Sequence, residues 1–304
     1  MNNNLRGGLL MIAAMAGFAV EDMFLKTAAQ LVPVGQILMI FGGAGMVCFA
    51  ILAKSQGARL LSPDILSPPI LIRAVFEVMG RLFYTLAIAL TPLSSASAIL
   101  QATPLVVVAG AALVFREKVG WRRWSAIMAG FVGVLIILRP GLAGFTPLSI
   151  LAVLGTLGFA GRDLATRAAP KTLSNLTLGV YGFAMMVPTG AGLLMWTGGA
   201  VMPDGPASFA LGAATLFGVA GYYALTAAMR VGEVSLVTPF RYSRLLFALI
   251  LGVIVFAERP DAATLLGSAI IVGSGIYTLL RGRRARQAGD LENGDSDAKS
   301  TRQS

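Results

Sequence analysis

The sequence has 304 residues but no histidine, and its only cysteine is Cys48. These two shortages exclude histidine-based zinc sites, Ser-His-Asp triads, thiol–histidine nucleophiles and intrachain disulfides. Charged residues are also scarce, at 12% of the chain, where a soluble domain carries about 25%. Hydrophobic residues make up 56%, and the mean hydropathy is +0.78. Because so apolar a chain cannot cover its surface with polar groups, we expect it to be surrounded mostly by lipid.

Apolar runs long enough to cross a bilayer recur along the chain. A membrane helix needs about 20 such residues to span roughly 30 Å of hydrocarbon, and none of the runs alternates as a barrel strand does. The first run contains Glu21 and Asp22 and has no cleavage site after a short core, which is unlike a signal peptide. The sequence therefore predicts an all-α integral membrane protein with ten transmembrane helices, at 5–29, 33–53, 68–90, 94–115, 121–139, 147–169, 173–197, 206–229, 233–256 and 261–281.

Lysine and arginine are distributed unevenly between the two sets of predicted helix ends. One set carries thirteen of them, and the other carries Arg139 and Arg259. By the positive-inside rule both termini should be cytoplasmic, in the cell inner (cytoplasmic) membrane. The same loops account for much of the net charge of +10, so this charge indicates topology rather than nucleic-acid binding. Residues 282–304 have no apolar cluster and are predicted to form a disordered cytoplasmic tail.

The chain also repeats itself. Asp22 matches Asp163 and Lys26 matches Arg167, so the offset between the copies is 141 residues. Further matches are Gly17 with Gly158, Gly80 with Gly221, and Phe115-Arg116-Glu117 with Phe256-Ala257-Glu258. The copies at 1–140 and 141–281 have five predicted spans each, and an odd number turns the second copy upside down. Inverted repeats are typical of secondary transporters, which bind their substrate between the halves near the midplane.

The repeated helix that ends in Phe-x-Glu and the opening Arg6-Gly7-Gly8-Leu9-Leu10-Met11 resemble the drug/metabolite transporter superfamily, above all its EamA-type permeases. The stretch 103–117 is the most family-like, whereas in the second copy Pro239 lies five residues earlier relative to its glutamate. The resemblance covers about residues 1–281. It implies a ten-helix permease for small organic solutes such as amino acids, related metabolites, nucleoside-like cofactors or drugs. It names no substrate, and the superfamily includes both exporters and importers.

Four acidic residues lie inside predicted spans. A charge at this depth costs at least a few kcal/mol and normally faces a cavity or a partner. The repeat places Asp22 with Lys26 on one side of the midplane and Asp163 with its matched arginine on the other. We interpret these two clusters as an outer and an inner gate; the alternative is two static ion pairs that fix helix register. The residues assigned to gating or coupling are Glu21, Asp22, Arg73, Arg162, Asp163 and Arg241.

Span 3 carries Arg73, Glu77 and Arg81 at intervals of four residues, with Tyr84 three residues on. This spacing places the four side chains on one helix face, which cannot point at lipid. We expect the face to line the substrate cavity; the alternative is a structural ladder to neighbouring helices. A carboxylate between two guanidiniums is expected to be ionised, which argues against Glu77 as a proton carrier.

Span 9 carries Arg241, Tyr242 and Arg244 just after Pro239, and broken backbone in transporters tends to line cavities. We expect an Asp163–Arg241 pair, with Arg73 as the competing partner. Span 4 shows a stripe at helical spacing, which indicates either a polar wall or interhelical hydrogen bonds; its residues are Ser94, Ser97, Gln101 and Pro104. Tyr222 and Tyr84 could form an aromatic wall, or simply pack. The residues assigned to substrate binding are Glu77, Arg81, Tyr84, Gln101, Tyr222, Tyr242 and Arg244.

Seven basic groups against four acidic ones in or near the spans favour a substrate with a carboxylate or phosphate. We therefore expect a secondary active transporter that moves an amino acid or another zwitterionic or anionic solute by alternating access, in the direction of export. The alternative is an uptake permease for a cofactor-like metabolite such as S-adenosylmethionine or riboflavin. An enzyme or a channel fits less well, and the sequence has no Walker-type motif of a primary pump.

The partners expected from the sequence are the lipid bilayer and a small-molecule substrate, with no cofactor, metal or nucleic acid. Energy coupling is then to a gradient, or absent. Proton coupling would use Glu21, Asp22 or Asp163. The protein is expected to be a monomer or a homodimer.

Overall fold

The computed structural model describes residues 3–114, 116, 120–139, 146–170, 172–231, 238–274 and 276–277. Every regular element within these ranges is helical. Glu117 and the predicted tail at 282–304 lie outside the described residues, as do the side chain of Arg167 and the 232–237 part of the predicted ninth span.

The helices follow the predicted spans closely along most of the chain. They are α1 Asn3–Ala28, α2 Val34–Ser55, α3 Pro68–Leu90, α4 Leu93–Leu100, α5 Thr103–Val114, α6 Trp121–Leu138, α7 Ile150–Arg167, α8 Asn175–Thr197, α9 Gly205–Val231, α10 Ser243–Phe256 and α11 Ala262–Ser274. Short 3-10 turns at Pro63–Leu66, Pro147–Ser149 and Thr238–Tyr242 precede α3, α7 and α10.

Six helical segments of the described residues are long and apolar enough to cross a membrane. They are Leu5–Ala28, Val34–Ser55, Leu93–Val114, Pro147–Thr166, Asn175–Thr197 and Gly205–Leu225, and two shorter apolar helices are Trp124–Leu138 and Ala262–Ser274. The 23-residue α3 is long enough but carries Arg73, Glu77 and Arg81. The chain is thus an all-helical, multi-pass membrane protein, and the number of ten spans stays a prediction.

The fourth predicted span, 94–115, matches the apolar segment Leu93–Val114, but its helix is interrupted. The helix ends at Leu100 and a new one begins at Thr103. At the break the backbone bonds tighten to the i→i−3 type, from Gln101 N to Ala98 O at 3.2 Å and from Ala102 N to Ile99 O at 3.0 Å. Because Pro104 has no backbone N–H, it cannot restore an α-helical bond across the break.

Glycines bring antiparallel helices into close contact. A methyl group on Gly17 of α1 would lie 3.2 Å from Cα of Gly221 in α9, and one on Gly158 of α7 would lie 2.5 Å from Cα of Gly80 in α3. The 141-residue offset matches Gly17 with Gly158 and Gly80 with Gly221, so each contact corresponds to the other in crossed order. Small residues at these positions let the backbones approach, as is common in membrane helix pairs.

The bundle has two ends, which we name after residues of α1. At the Lys26 end, α1 and α3 finish and α4 begins, and the Gln36 side chain donates a hydrogen bond to Val201 O at 2.6 Å. At the Arg6 end, the Thr177 hydroxyl donates to Arg59 O at 3.2 Å, which ties the α2–α3 loop to α8. The charged residues of the candidate site lie between these two ends or at the Lys26 end.

Candidate functional site

A cavity of about 90 Å³ lies inside the bundle, between α1, α3, the α4–α5 break, α7, α9 and the start of α10. Along α1 it extends from Glu21 through Phe18 to Met15, that is, toward the Arg6 end. The broken backbone between α4 and α5 forms part of the wall, as expected for irregular backbone at membrane depth. The polar residues of the wall are Glu21, Arg81, Gln101, Thr103, Arg162, Tyr222, Arg241 and Arg244.

The residues predicted for substrate binding divide into two groups. Arg81, Gln101, Tyr222 and Arg244 line the cavity. The remaining three are buried behind its wall; they are Glu77, Tyr84 and Tyr242. Of the residues predicted for gating or coupling, the cavity wall contains Glu21, Arg162 and Arg241. The other three lie outside the wall: Asp22 is paired with Arg244, Asp163 with Arg162, and Arg73 with Glu77. Their roles remain predictions.

Glu21 and Arg81 join α1 to α3 at the cavity. Nη1 of Arg81 lies 2.6 Å from Oε1 of Glu21, whose side chain is fully buried. Oε2 of Glu21 accepts no hydrogen bond within the part of the chain that the structure describes. The Arg81 guanidinium also stacks over three aromatic rings at 5.3–5.9 Å, those of Phe41, Phe159 and Phe183. Arg81 therefore pairs with a neighbouring helix, α1, rather than with Glu77 of its own helix.

Asp22 belongs to a buried network beside the cavity. Arg244 of α10 donates to its Oδ2 from Nη2 at 2.7 Å and from Nε at 3.2 Å. The Tyr84 hydroxyl donates to the same oxygen at 3.2 Å and lies 3.2 Å from the Ser97 hydroxyl. The expectation that Asp22 and Lys26 form one cluster is wrong, because Asp22 is held by the arginine of the other copy.

Glu77 and Asp163 share a second network on the opposite side of the cavity. Glu77 lies between Arg73, at 3.2 Å, and Arg162, at 3.3 Å. Asp163 pairs with Arg162 at 2.8 Å and with Arg241 at 3.8 Å. The expected Asp163–Arg241 pair is therefore present, whereas the competing partner Arg73 is occupied by Glu77. Glu77 does lie between two guanidiniums, but the second is that of Arg162 and not that of Arg81.

The two networks and the Glu21–Arg81 pair together contain one more cation than they contain anions. The described guanidiniums are five, and the described carboxylates are four: Arg73, Arg81, Arg162, Arg241 and Arg244 against Glu21, Asp22, Glu77 and Asp163. Five minus four leaves a net charge of +1 when all are ionised. Arg241 is the most exposed of the five side chains, at 28%, and has the longest ion pair. The cavity can thus receive a negatively charged group without an unpaired acid nearby.

The polar stripe of the fourth predicted span makes interhelical hydrogen bonds, which was the alternative interpretation. Ser94 donates to Glu258 at 2.8 Å, and Ser97 contacts Tyr84. Gln101 donates from its amide to Tyr242 O at 3.1 Å. Gln101 is also part of the cavity wall, so for this residue the two interpretations hold together.

One ion pair was missed by the sequence analysis. Nζ of Lys26 lies 3.7 Å from Oε1 of Glu258, at the Lys26 end of the bundle. Glu258 follows α10 and looks like an ordinary loop residue in the sequence. The repeat contained the missing signal, because Lys26 and Glu258 each have a charged counterpart 141 residues away, in Arg167 and Glu117.

Comparisons with known proteins agree with this architecture. A riboflavin transporter of Vibrio cholerae serotype O1 is 29% identical over 273 residues, covering 88% of this chain and 91% of that protein. The pseudopaline exporter CntI of Pseudomonas aeruginosa is 26% identical over 88% of this chain and 93% of its own length. An S-adenosylmethionine uptake transporter of Rickettsia prowazekii is 24% identical over 68% and 70%. One solved crystal structure, 18% identical, has a TM-score of 0.61 and covers 92% of this chain and 98% of its own, which supports the fold.

A bundle of apolar helices around an internal charged cavity, with relatives of this kind, defines a membrane transport protein rather than an enzyme. The profile of the EamA-like transporter family matches the chain twice, at residues 5–139 and 147–280. The chain belongs to the EamA-like transporter family.

Proposed function

We propose that the protein is a secondary active transporter that moves a small zwitterionic or anionic organic solute across the cytoplasmic membrane by alternating access. The observation that carries this proposal is the cavity lined by Arg81, Arg162, Arg241 and Arg244, whose surrounding networks have a net charge of +1. A guanidinium presents a planar fork of donors that fits a carboxylate or a phosphate. Such buried charges are costly in a membrane unless a cavity or partner uses them.

Arg241 is the residue we expect to bind the acidic group of the solute. Its ion pair with Asp163 is long, at 3.8 Å, and Asp163 keeps a second partner in Arg162 at 2.8 Å. A solute carboxylate can therefore bind Arg241 without leaving Asp163 with no cationic partner. On the other side of the cavity, Oε2 of Glu21 accepts no hydrogen bond from the described residues and can accept one from a solute amine. A zwitterion satisfies both groups.

The proposed architecture consists of ten spans in two inverted copies, 1–140 and 141–281, with both termini in the cytoplasm. The crossed contacts of Gly17 with Gly221 and of Gly158 with Gly80 support equivalent copies. Among described residues the Arg6 end carries Arg6, Lys54 and Arg59, which supports this end as the cytoplasmic one. The cavity then extends toward the cytoplasm, and a second conformation would open it on the other side.

The direction of transport is proposed to be export, with uptake of a cofactor-like metabolite as the second candidate. The similarity to an exporter over 88% of the chain supports export. The relatives named as a riboflavin transporter and as an S-adenosylmethionine uptake transporter support the second candidate. Coupling to a proton gradient is proposed through Glu21, Asp22 or Asp163.

The test is a substrate screen with purified protein in proteoliposomes. Labelled amino acids, S-adenosylmethionine, riboflavin and an organic cation are offered in counterflow, with and without a pH gradient. We expect a solute that bears a carboxylate or phosphate to exchange. Exchange of the organic cation alone would contradict the proposal, since the cavity would then recognise positive charge.

A further inference from the structure

We infer that Lys26, Glu258 and the first residues of α4, Leu93 and Ser94, form a latch that keeps the Lys26 end of the transporter closed. We call this cluster the Lys26 latch. The inference rests on the proposed alternating access, because a closed end has a meaning only if the protein also opens there. It assigns to Lys26 with Glu258 the gating role that the sequence suggests for Lys26 with Asp22.

The Lys26 ammonium joins the ends of three helices. It donates to the carbonyls of Thr91 at 2.6 Å and Ile88 at 3.0 Å, which belong to the last turn of α3 and the residue after it. It also lies 3.7 Å from Glu258 and 5.2 Å from the ring centre of Phe256, at the end of α10. A cation near the carbonyls of a helix end is favourable, since these carbonyls have no partner within the helix.

The Glu258 carboxylate binds the first residues of α4. Oε1 accepts from the backbone N–H of Leu93 at 2.6 Å. Oε2 accepts from the N–H of Ser94 at 3.0 Å and from its hydroxyl at 2.8 Å. These bonds satisfy N–H groups that the helix leaves free, and a carboxylate at this position is favoured by the helix dipole. Both oxygens are therefore used to hold α4 in place.

The backbone after α10 is shaped to bring Glu258 to this position. Ala257 ends the helix in the left-handed region, with φ of 51°. An alanine has a higher conformational energy in this region than a glycine has. Glu258 N then donates back to Gly252 O at 3.0 Å. A methyl group on Gly252 would lie 2.6 Å from Oε2 of Glu258, so a glycine is needed to make room for the carboxylate.

A layer of buried apolar side chains separates the Lys26 and Glu258 charges from the cavity. Leu25, Ile88 and Leu93 are 0–2% exposed and belong to the main apolar core. On α1 the cavity reaches Glu21, and Lys26 lies five residues farther on, a rise of about 7.5 Å. A solute in the cavity has no route to the Lys26 end while this layer and the latch remain in place.

Helix α4 connects the latch to the cavity. It has eight residues, about 12 Å at 1.5 Å per residue. Glu258 holds its first turn, and Gln101, at the residue after its end, donates to Tyr242 O in the backbone that leads into α10. Because Gln101 also lines the cavity, a solute that draws Gln101 toward itself would move α4 and weaken its bonds to Glu258.

The experiment measures access to the cavity from each side and needs no transported solute. In a Cys48→Ser background, Leu225→Cys places one thiol in the cavity wall. A membrane-impermeant, negatively charged methanethiosulfonate reagent is applied to intact cells and, separately, to inside-out vesicles. In the otherwise unchanged protein we expect fast labelling from the Arg6 end and slow labelling from the Lys26 end.

Lys26→Gln removes the ion pair and leaves the Glu258 bonds to α4, whereas Glu258→Gln weakens both. Each should raise the labelling rate from the Lys26 end by about tenfold or more, the factor that corresponds to about 1.4 kcal/mol. Lys26→Arg keeps the charge and should label slowly. Asp261→Asn, which removes another ion pair at the same end, should also label slowly.

An unchanged rate in Lys26→Gln would overturn the latch, provided that the variant elutes as a single peak in size-exclusion chromatography. If Lys26→Gln fails to fold, a comparison of Lys26→Arg with Lys26→Met decides the same question. The latch predicts that Lys26→Arg is labelled more slowly from the Lys26 end than Lys26→Met. If labelling confirms the latch but the protein exchanges no solute, the proposed function is contradicted and the latch is not. Failure of the latch and failure of the proposed function are therefore distinguishable.

Discussion

Arg244 and Asp22 are 222 residues apart in the chain, yet Nη2 of the arginine lies 2.7 Å from Oδ2 of the aspartate. The pair joins α1 to α10 and thus connects the two matched parts of the chain next to the cavity. The Asp22 side chain is fully buried, and that of Arg244 is 16% exposed. Removing one member of such a pair leaves an uncompensated buried charge, which typically costs about 3–5 kcal/mol.

Arg244→Gln should therefore lower the thermal stability of the detergent-solubilised protein strongly, because Asp22 loses its cationic partner. The double variant Asp22→Asn/Arg244→Gln should recover most of the loss, since neither charge remains. The melting temperatures of the three proteins measure this. Equal stability of Arg244→Gln and the unchanged protein would show that the pair does not hold the copies together.

The glycine contacts give a second prediction. Gly158→Ala should destabilise the protein by about 1–3 kcal/mol, the usual range for overpacking, because the added methyl group would collide with the backbone of Gly80. Gly212→Ala is the matched control: a methyl group there meets nothing within 4 Å, and alanine is the better helix former. Chemical denaturation or thermal melting compares the two. A loss of stability in Gly212→Ala alone would contradict the packing described for α3 and α7.

A substitution of Glu21 can separate proton coupling from solute exchange. This carboxylate is fully buried in the cavity wall, and its Oε2 accepts no hydrogen bond from the residues that the structure describes. Glu21→Gln keeps an acceptor for Arg81 but cannot carry a proton. We expect the variant to lose transport driven by a pH gradient while it retains counterflow without a gradient. Retention of both activities would move the coupling role to Asp22 or Asp163.

A pH effect is expected at the Lys26 end, where Arg139 follows α6 and Asp261 precedes α11. The Arg139 guanidinium, with the N–H of Thr264, lowers the pKa of Asp261 to about 2. An unfolded aspartate has a pKa of about 3.9. Since the pKa is lower in the folded state, Asp261 contributes stability above about pH 4, and this contribution disappears as the pH falls toward about 2.

The melting temperature of the unchanged protein should therefore exceed that of Asp261→Asn at about pH 5, and the difference should shrink at about pH 3. The effect should be small, because the side chain is 49% exposed and surface ion pairs contribute little. A difference that does not change with pH would mean that the stabilisation does not depend on ionisation of Asp261.

Much of the fold could be predicted because membrane helices need long apolar runs, and these are visible in any single sequence. The break in the helix after Leu100 could not be predicted, although the sequence has a proline nearby, Pro104. A proline is tolerated in the first turn of a helix as well as in a kink, and the backbone bonds of Gln101 and Ala102, known only from the structure, show that the helix is broken here. Helix propensity therefore marks the site of the irregularity but not its form.

The charged site was predictable by residue but only partly by pairing. The Asp163–Arg241 pair followed from the estimated depth of each residue in the membrane. The Lys26–Glu258 pair could not be predicted in this way, because residues in contact with the start of another helix show no periodic pattern of their own. Depth along a helix is fixed by about 1.5 Å per residue, whereas rotation about its axis is set by packing that a single sequence does not reveal.

The central claim is that the arginine-lined cavity binds an acidic solute, and counterflow by Arg241→Gln tests it most directly. The fold should tolerate this change, since Asp163 keeps its pair with Arg162 at 2.8 Å. Arg259→Gln, at an exposed position between α10 and α11, is the matched control. We predict that a carboxylate- or phosphate-bearing solute exchanges in the unchanged protein and in Arg259→Gln but is lost in Arg241→Gln. Exchange of that solute by Arg241→Gln at the rate of the unchanged protein would contradict the account.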